Sequence, residues 1–243
     1  MSEAVILLIL FPLAATIAPL VAKLPVFARR SRVARGLWMA SVAVLAGGLA
    51  ALMWLYPTVA AGEAVVYTLG SWEIPLGIAL KMDGLAWLSS LLVYLLSVSI
   101  GVFALSHREY GSEFYFFFAL LVAGMEGVVL TTDVFNLFVS FEIVAIAAYV
   151  LIAYHRDARA LVASFKYLIL SSVGILFFLF GIFLVYRELG TLSLEEIAVF
   201  YRESSDPARL RVLRLALSSL VVGVAVRTAF LPFHTWLPEA HAF

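Results

Sequence analysis

Four ionisable side chains stand inside long apolar runs of this 243-residue sequence: Glu126 and Glu142 on successive runs, Lys166 on the next and Arg227 on the last. In hydrocarbon such groups do electrostatic work. A carboxyl or an amine can bind and release a proton, whereas a guanidinium stays charged. Even on the mildest insertion scale an ionised Asp costs roughly 2.5–3.5 kcal/mol at the centre of a bilayer. Such a charge is kept only where an opposite charge, a proton or a wet cavity compensates it. Buried charges of both signs on different runs therefore read as a polar file through a membrane.

Glu142 lies well inside TTDVFNLFVSFEIVAIAAY, Thr131 to Tyr149. Asp133 stands almost alone between this run and the one before, so the two form a tight helical hairpin. Glu126 lies seven residues before Asp133 and Glu142 nine after it, which places both roughly 10–14 Å from the hairpin tip at the rise of an α-helix. Two acids at matched depth cannot both ionise cheaply, so one keeps a proton or a cation lies between them. Glu126 has a simpler reading, facing a neighbouring subunit or a lipid headgroup, and Glu142 another, a static ion pair. Ala145 and Ala148 let a neighbouring helix approach closely.

Arg227 falls about 18 Å into the last run by the same rise, near a bilayer midplane, and five residues before Pro232. Proline removes a backbone donor. Interrupted helices at membrane depth are tolerated where they line a water cavity or are buried in protein. Arg227 beside such a break is a charge in a wet pathway, and His234 just past it is a proton relay. Lys166, a turn from the end of its run, either joins that pathway or snorkels to the surface. The segment HTWLPEAH lacks the HExxH spacing that sets two imidazoles on one helical face, so no metal site is expected. There is no nucleophile–base set either, and the chain is not expected to be catalytic alone.

The elements that must carry these groups follow from composition. Hydrophobic residues make up 64% of the chain and charged ones 13%, with a mean hydropathy of +1.07, far from the values of a soluble domain. With no cysteine, the chain has no disulfide and no thiolate-held cluster or zinc, and no cofactor is expected. Zero net charge leaves no electrostatic footprint for nucleic acid. About 20 apolar residues cross a membrane. The runs 4–22, 36–56, 84–106, 114–132, 134–154, 164–186 and 215–231 are therefore read as seven spans in a single membrane domain, residues 1–243. The fold class is all-α, a polytopic helical bundle whose seventh helix is broken at Pro232. Between the second and third spans, VVYTLGSWEIPLGIAL reads as two short strands or an interfacial segment. Arg187–Arg214 reads as amphipathic and interfacial, with Asp206-Pro207 breaking it.

Only Ser2 and Glu3 precede the first run, so it is read as a retained span. The segment 23–35 carries five basic residues and no acid. By the positive-inside rule it is cytoplasmic, as is 155–163, and the N-terminus is outside a plasma membrane. The arginines of 187–214, which this count leaves outside, run against that orientation.

Three motifs give a family likeness: GMEGVVLTTDVFNLFVSFEIVAIAAYVLIAY, SFKYLILSSVG and AVRTAFLPFHTWLPEAH. From about Met82 to His241 the sequence resembles the antiporter-like subunits of Mrp-type cation/proton antiporters, respiratory complex I and membrane-bound hydrogenases. The resemblance implies a fifth-span glutamate paired with a lysine on a broken seventh span, and a hydrophilic axis continued by further lysines or histidines. Glu142 falls on the glutamate, Lys166 on a sixth-span lysine, Pro232 and His234 on the break, and Arg227 on the pairing lysine. Three departures stand out. Arg227 cannot give up a proton as lysine does, so it gates but does not carry. Glu126 stands where the family more often has a neutral residue. The chain also resembles only the N-terminal half of a subunit of about 14 spans.

The function so implied is that of a membrane subunit of a multisubunit complex, contributing to proton or Na⁺/H⁺ translocation through a Glu142–Arg227 pair. The alternative is a non-conducting adaptor that holds neighbouring pump subunits. Expected partners are other membrane subunits including a full-length antiporter-like one, the ions H⁺ and Na⁺, and membrane lipids.

Overall fold

The computed structural model describes residues 2–28, 31–69, 77–107, 109–204 and 206–242. Arg29 and Arg30 of the basic segment, and the centre of the predicted strand pair, lie outside these. The order is α1 (Ser2–Ala15), α2 (Ile17–Ala22), the one-turn α3 (Pro25–Ala28), α4 (Ser31–Ala60), β1 (Val65–Thr68), β2 (Ala79–Met82), α5 (Gly84–Ser106), α6 (Ser112–Leu130), α7 (Val134–Ile152), α8 (Ala158–Leu189), α9 (Leu194–Glu203), α10 (Pro207–Arg227), a 3₁₀ turn (His234–Trp236) and α11 (Leu237–Ala242).

Aspartate sets the helix starts. The sequence has four aspartates, and each accepts a bond from a backbone N–H in the first turn of a helix: Asp83 from Ala86, Asp133 from Asn136, Asp157 from Ala160 and Asp206 from Ala208. A helix start has orphan donors, and a short carboxylate satisfies one of them. Asp206-Pro207 therefore begins α10, because proline at the first helical position gives up only an orphan N–H. With α9 ending at Glu203 the segment Arg187–Arg214 is broken there, as expected. The structure divides that segment between the end of α8, the amphipathic α9 and the first two turns of α10.

Among the described residues six helical stretches are long and apolar enough to cross a membrane: Ser2–Ala22, Arg32–Ala60, Gly84–Ser106, Ser112–Leu130, Val134–Ile152 and Ala158–Leu189. They match the first six predicted spans. The seventh falls on α10, whose early turns carry Arg209, Arg211 and Arg214 and which is not among the six. The predicted strand pair is present as an antiparallel hairpin, with Val65 opposite Met82 and Thr68 opposite Ala79.

The chain forms two compact units. In the first, α1, α2, α4, α5 and α6 pack round a core of Leu8, Leu52, Leu55, Tyr94 and Leu130, with Leu80 and Met82 of β2 closing one end. A second cluster joins Ala15, Leu45, Phe118 and Val122. The C-terminal part of α7 belongs to this unit. Glycines of α6 let it approach: a Cβ on Gly127 would meet Ser140 Oγ at 2.5 Å, and one on Gly124 would meet Val144 Cγ2 at 2.8 Å.

The second unit is organised by α8 against α10. Their contact runs through Gly174, Gly181 and Gly223; a Cβ on Gly223 would lie 2.8 Å from the Gly174 carbonyl oxygen. Small residues at such crossings let backbones touch where lipid supplies no hydrophobic drive. The start of α7 is tied into this unit by backbone bonds, Val134 N–H to the Leu192 carbonyl and Leu194 N–H to the Thr132 carbonyl, both 2.9 Å.

Candidate functional site

Glu142 is half-buried on the part of α7 that belongs to the first unit. Ser140, Ile143 and Val144, its neighbours along α7, are the residues that meet the α6 glycines. Ala145 and Ala147 are fully covered. The expected close helix approach is present beside this acid; of the two alanines expected to allow it Ala145 is covered and Ala148 only partly so, and Gly124 and Gly127 of α6 supply the nearest approach.

Glu126 is wholly inside the first unit, with none of its surface accessible. Ser90 Oγ on α5 donates to its Oε2 over 2.8 Å, and its Oε1, equally buried, has no hydrogen-bond partner among the described residues. One turn along α5, Tyr94 is also buried and donates to the Leu8 carbonyl of α1. The reading in which Glu126 faces a lipid headgroup or neighbouring subunit is overturned: it points into α5. Ser90 carries no signal in the sequence, since serines in apolar helices commonly bond their own backbone, as Ser89, Ser97 and Ser99 do here.

Arg227, half-buried, lies in the second unit as the last residue of α10. The helix ends there, earlier than the expected Leu231, and it ends by an identifiable device. Phe230 N–H bonds the Ala225 carbonyl at 2.8 Å, and Ala229 N–H bonds the Val226 carbonyl at 3.4 Å. Ala229 has φ of 53°. These are the paired bonds and left-handed residue of a Schellman cap, with alanine at a position where glycine is usual. The break thus comes from the cap, and Pro232 then prevents the helix from resuming until the 3₁₀ turn at His234. A helix C-terminus carries the negative end of the helix dipole, which makes it a favourable place for a guanidinium.

Trp236 pins the far side of the break. Its buried indole donates to the Val226 carbonyl over 3.1 Å and packs on Tyr167 of α8 with ring centroids 4.5 Å apart. Lys166, Ile169 and Leu170 of α8 line a cavity of about 260 Å³ with Thr235 and Trp236. Lys166 is thereby brought to the segment that follows the break, and it is exposed there, as is His234. The sequence reading missed Trp236, because its partner is a backbone carbonyl that residue types do not reveal.

Residues 131–242 match the family model described as NADH:quinone oxidoreductase/Mrp antiporter, transmembrane. An NADH-quinone oxidoreductase subunit of Desulforudis audaxviator is 37% identical over 84% of this chain and 40% of its own length. A Na⁺/H⁺ antiporter subunit of Alkalihalophilus pseudofirmus is 36% identical over 72% of this chain and 36% of its own. Among solved structures, a chain of the archaeal membrane-bound sulfane sulfur reductase, a respiratory membrane complex, superposes with a TM-score of 0.85 at 29% identity, covering 99% of this chain and 47% of that one. A chain of the Mrp complex of Dietzia sp. gives 0.80 at 25% identity over 99% and 44%. The chain spans less than half the length of the relatives it matches. With six helices among the described residues apolar enough to cross a bilayer, this is a multi-pass membrane protein, and it is similar to membrane subunits of the NADH:quinone oxidoreductase and Mrp antiporter complexes.

Proposed function

We propose that this chain is a membrane subunit of a multisubunit ion-translocating complex and contributes to proton or Na⁺/H⁺ movement through Glu142 and Arg227. The observation that carries this reading is the interruption after Arg227, in a chain similar to antiporter and oxidoreductase membrane subunits. Interrupted helices at membrane depth are tolerated where they line a water cavity or are buried in protein, and a permanently charged side chain beside the interruption favours the first. Arg227 keeps its charge, so the proton-carrying group is Glu142, and the guanidinium biases how readily that carboxyl gives its proton up. Lys166 and His234, on either side of the break segment, extend the polar route away from it. The N-terminus lies outside, with 23–35 and 155–163 in the cytoplasm. Partners are the other membrane subunits, including a full-length antiporter-like one.

The test is ion exchange by the complex purified from its native membrane and rebuilt into vesicles, followed with a pH-sensitive dye. Glu142→Gln is expected to lower exchange by at least ~10-fold, a loss of transition-state stabilisation above about 1.4 kcal/mol, with subunit composition unchanged. Unchanged exchange with lost assembly would instead select an adaptor that holds neighbouring subunits without conducting.

A further inference from the structure

A carboxyl enclosed as Glu126 is must answer for its charge. An ionised carboxylate offers about four lone-pair sites, yet Glu126 receives one hydrogen bond, from Ser90, and its other oxygen is buried without a partner among the described residues. The elements packed around α6 carry the ionisable groups Glu3 on α1, Arg32, Arg35 and Tyr56 on α4, Lys81 on β2, Tyr94 on α5, and Glu142 and Tyr149 on α7. None of them forms an ion pair or hydrogen bond with Glu126. A buried, uncompensated carboxylate costs several kcal/mol, whereas a buried neutral acid with one orphaned O–H costs about 1–3 kcal/mol. Three oxygens, two from Glu126 and one from Ser90, are too few for a hard metal cation, which takes about six.

We propose that Glu126 is a proton-binding site of the first unit, separate from Glu142: the proton sits on Oε1, and Oε2 is the carbonyl oxygen to which Ser90 donates. The site is formed by α5 and α6 alone and does not depend on the translocation reading. A proton is the one ligand this enclosure fits, because it needs a single oxygen and no surrounding shell. Release of that proton leaves a carboxylate with one donor, so the site holds its proton until the α5–α6 contact loosens or water enters.

Infrared absorption of the carboxylic-acid C=O stretch tests this on the full chain in detergent or in its complex. The unmodified protein is expected to show a protonated-carboxyl band at neutral pH. The band is expected to be lost in Glu126→Gln, kept in Glu142→Gln, and moved to higher frequency in Ser90→Ala, where the carbonyl loses its donor. A carboxylic-acid band whose intensity is unchanged by Glu126→Gln, or reduced by Glu142→Gln only, overturns the proposal. Should Glu126→Gln fail to fold, the Ser90→Ala shift decides: a band unmoved by that change also overturns it.

Discussion

The indole nitrogen of Trp236 donates to the carbonyl of Val226 across 3.1 Å, one residue before Arg227. This bond joins the segment after the helix break to the last turn before it. The Val226 carbonyl also takes the backbone N–H groups of Thr228 and, over a longer 3.4 Å, of Ala229. The last turn of α10, which carries Arg227, is therefore tied to a residue nine positions on.

Trp236→Phe keeps a ring against Tyr167 and removes the donor. Losing one hydrogen bond to a buried carbonyl costs about 1 kcal/mol, so the purified chain is expected to melt at a lower temperature. If the break positions Arg227 for ion movement, exchange falls further than the stability loss accounts for. Equal melting temperatures for the two proteins would show that the bond contributes nothing.

The cap at Ala229 predicts a stabilising substitution. A non-glycine residue in the left-handed region costs about 1–2 kcal/mol, and Ala229 bears that strain at φ 53°. Ala229→Gly is expected to raise the melting temperature. Gly190→Ala, at φ 70° after α8, is expected to lower it by a comparable amount. The pair of opposite shifts in one melting series is the check.

Substitution at the α8–α10 contact should be severe. Any side chain at Gly223 meets the Gly174 carbonyl and the Phe178 backbone and Cβ, none of which can swing away. Gly223→Val is expected to destabilise by more than about 2 kcal/mol, read as loss of folded chain on size exclusion after mild heating. Gly36→Val, where nothing lies within 4 Å of an added Cβ, is the matched control.

The charge that Arg227 supplies can be separated from its shape. Arg227→Lys keeps a cation that can also lose its proton, and exchange is expected to persist. Arg227→Gln removes the charge and is expected to cut exchange by at least ~10-fold. Equal rates for Arg227→Gln and the parent would remove Arg227 from the pathway.

Orientation is accessible because the sequence has no cysteine, so a single introduced one is the only thiol. Glu63 and His155 are both exposed. On intact cells Glu63→Cys is expected to react with an impermeant maleimide, and His155→Cys only after the membrane is opened. The reverse pattern inverts the topology.

Apolar run length and charge content settled the helical class and the first six spans, because the bilayer demands a minimum apolar length that composition displays directly; the sequence left the segment after the second span open between two strands and an interfacial stretch, and the structure gives the strands. The family likeness was legible for a similar reason, since it rests on short motifs contiguous in the chain. The four aspartate caps were present in the sequence too, and Asp206-Pro207, read as a break, both separates α9 from α10 and starts α10, since Pro in the first turn is the signal of a start. The end of α10 was not legible. Proline marks where a helix cannot continue, whereas the actual stop at Arg227 is set by a cap on an alanine and a bond from a distant indole, neither of which residue type announces. Nor could the sequence say which way Glu126 points. Its neighbours on α6 are apolar on every side, and only the packing of α5 places Ser90 against it and denies its second oxygen a partner.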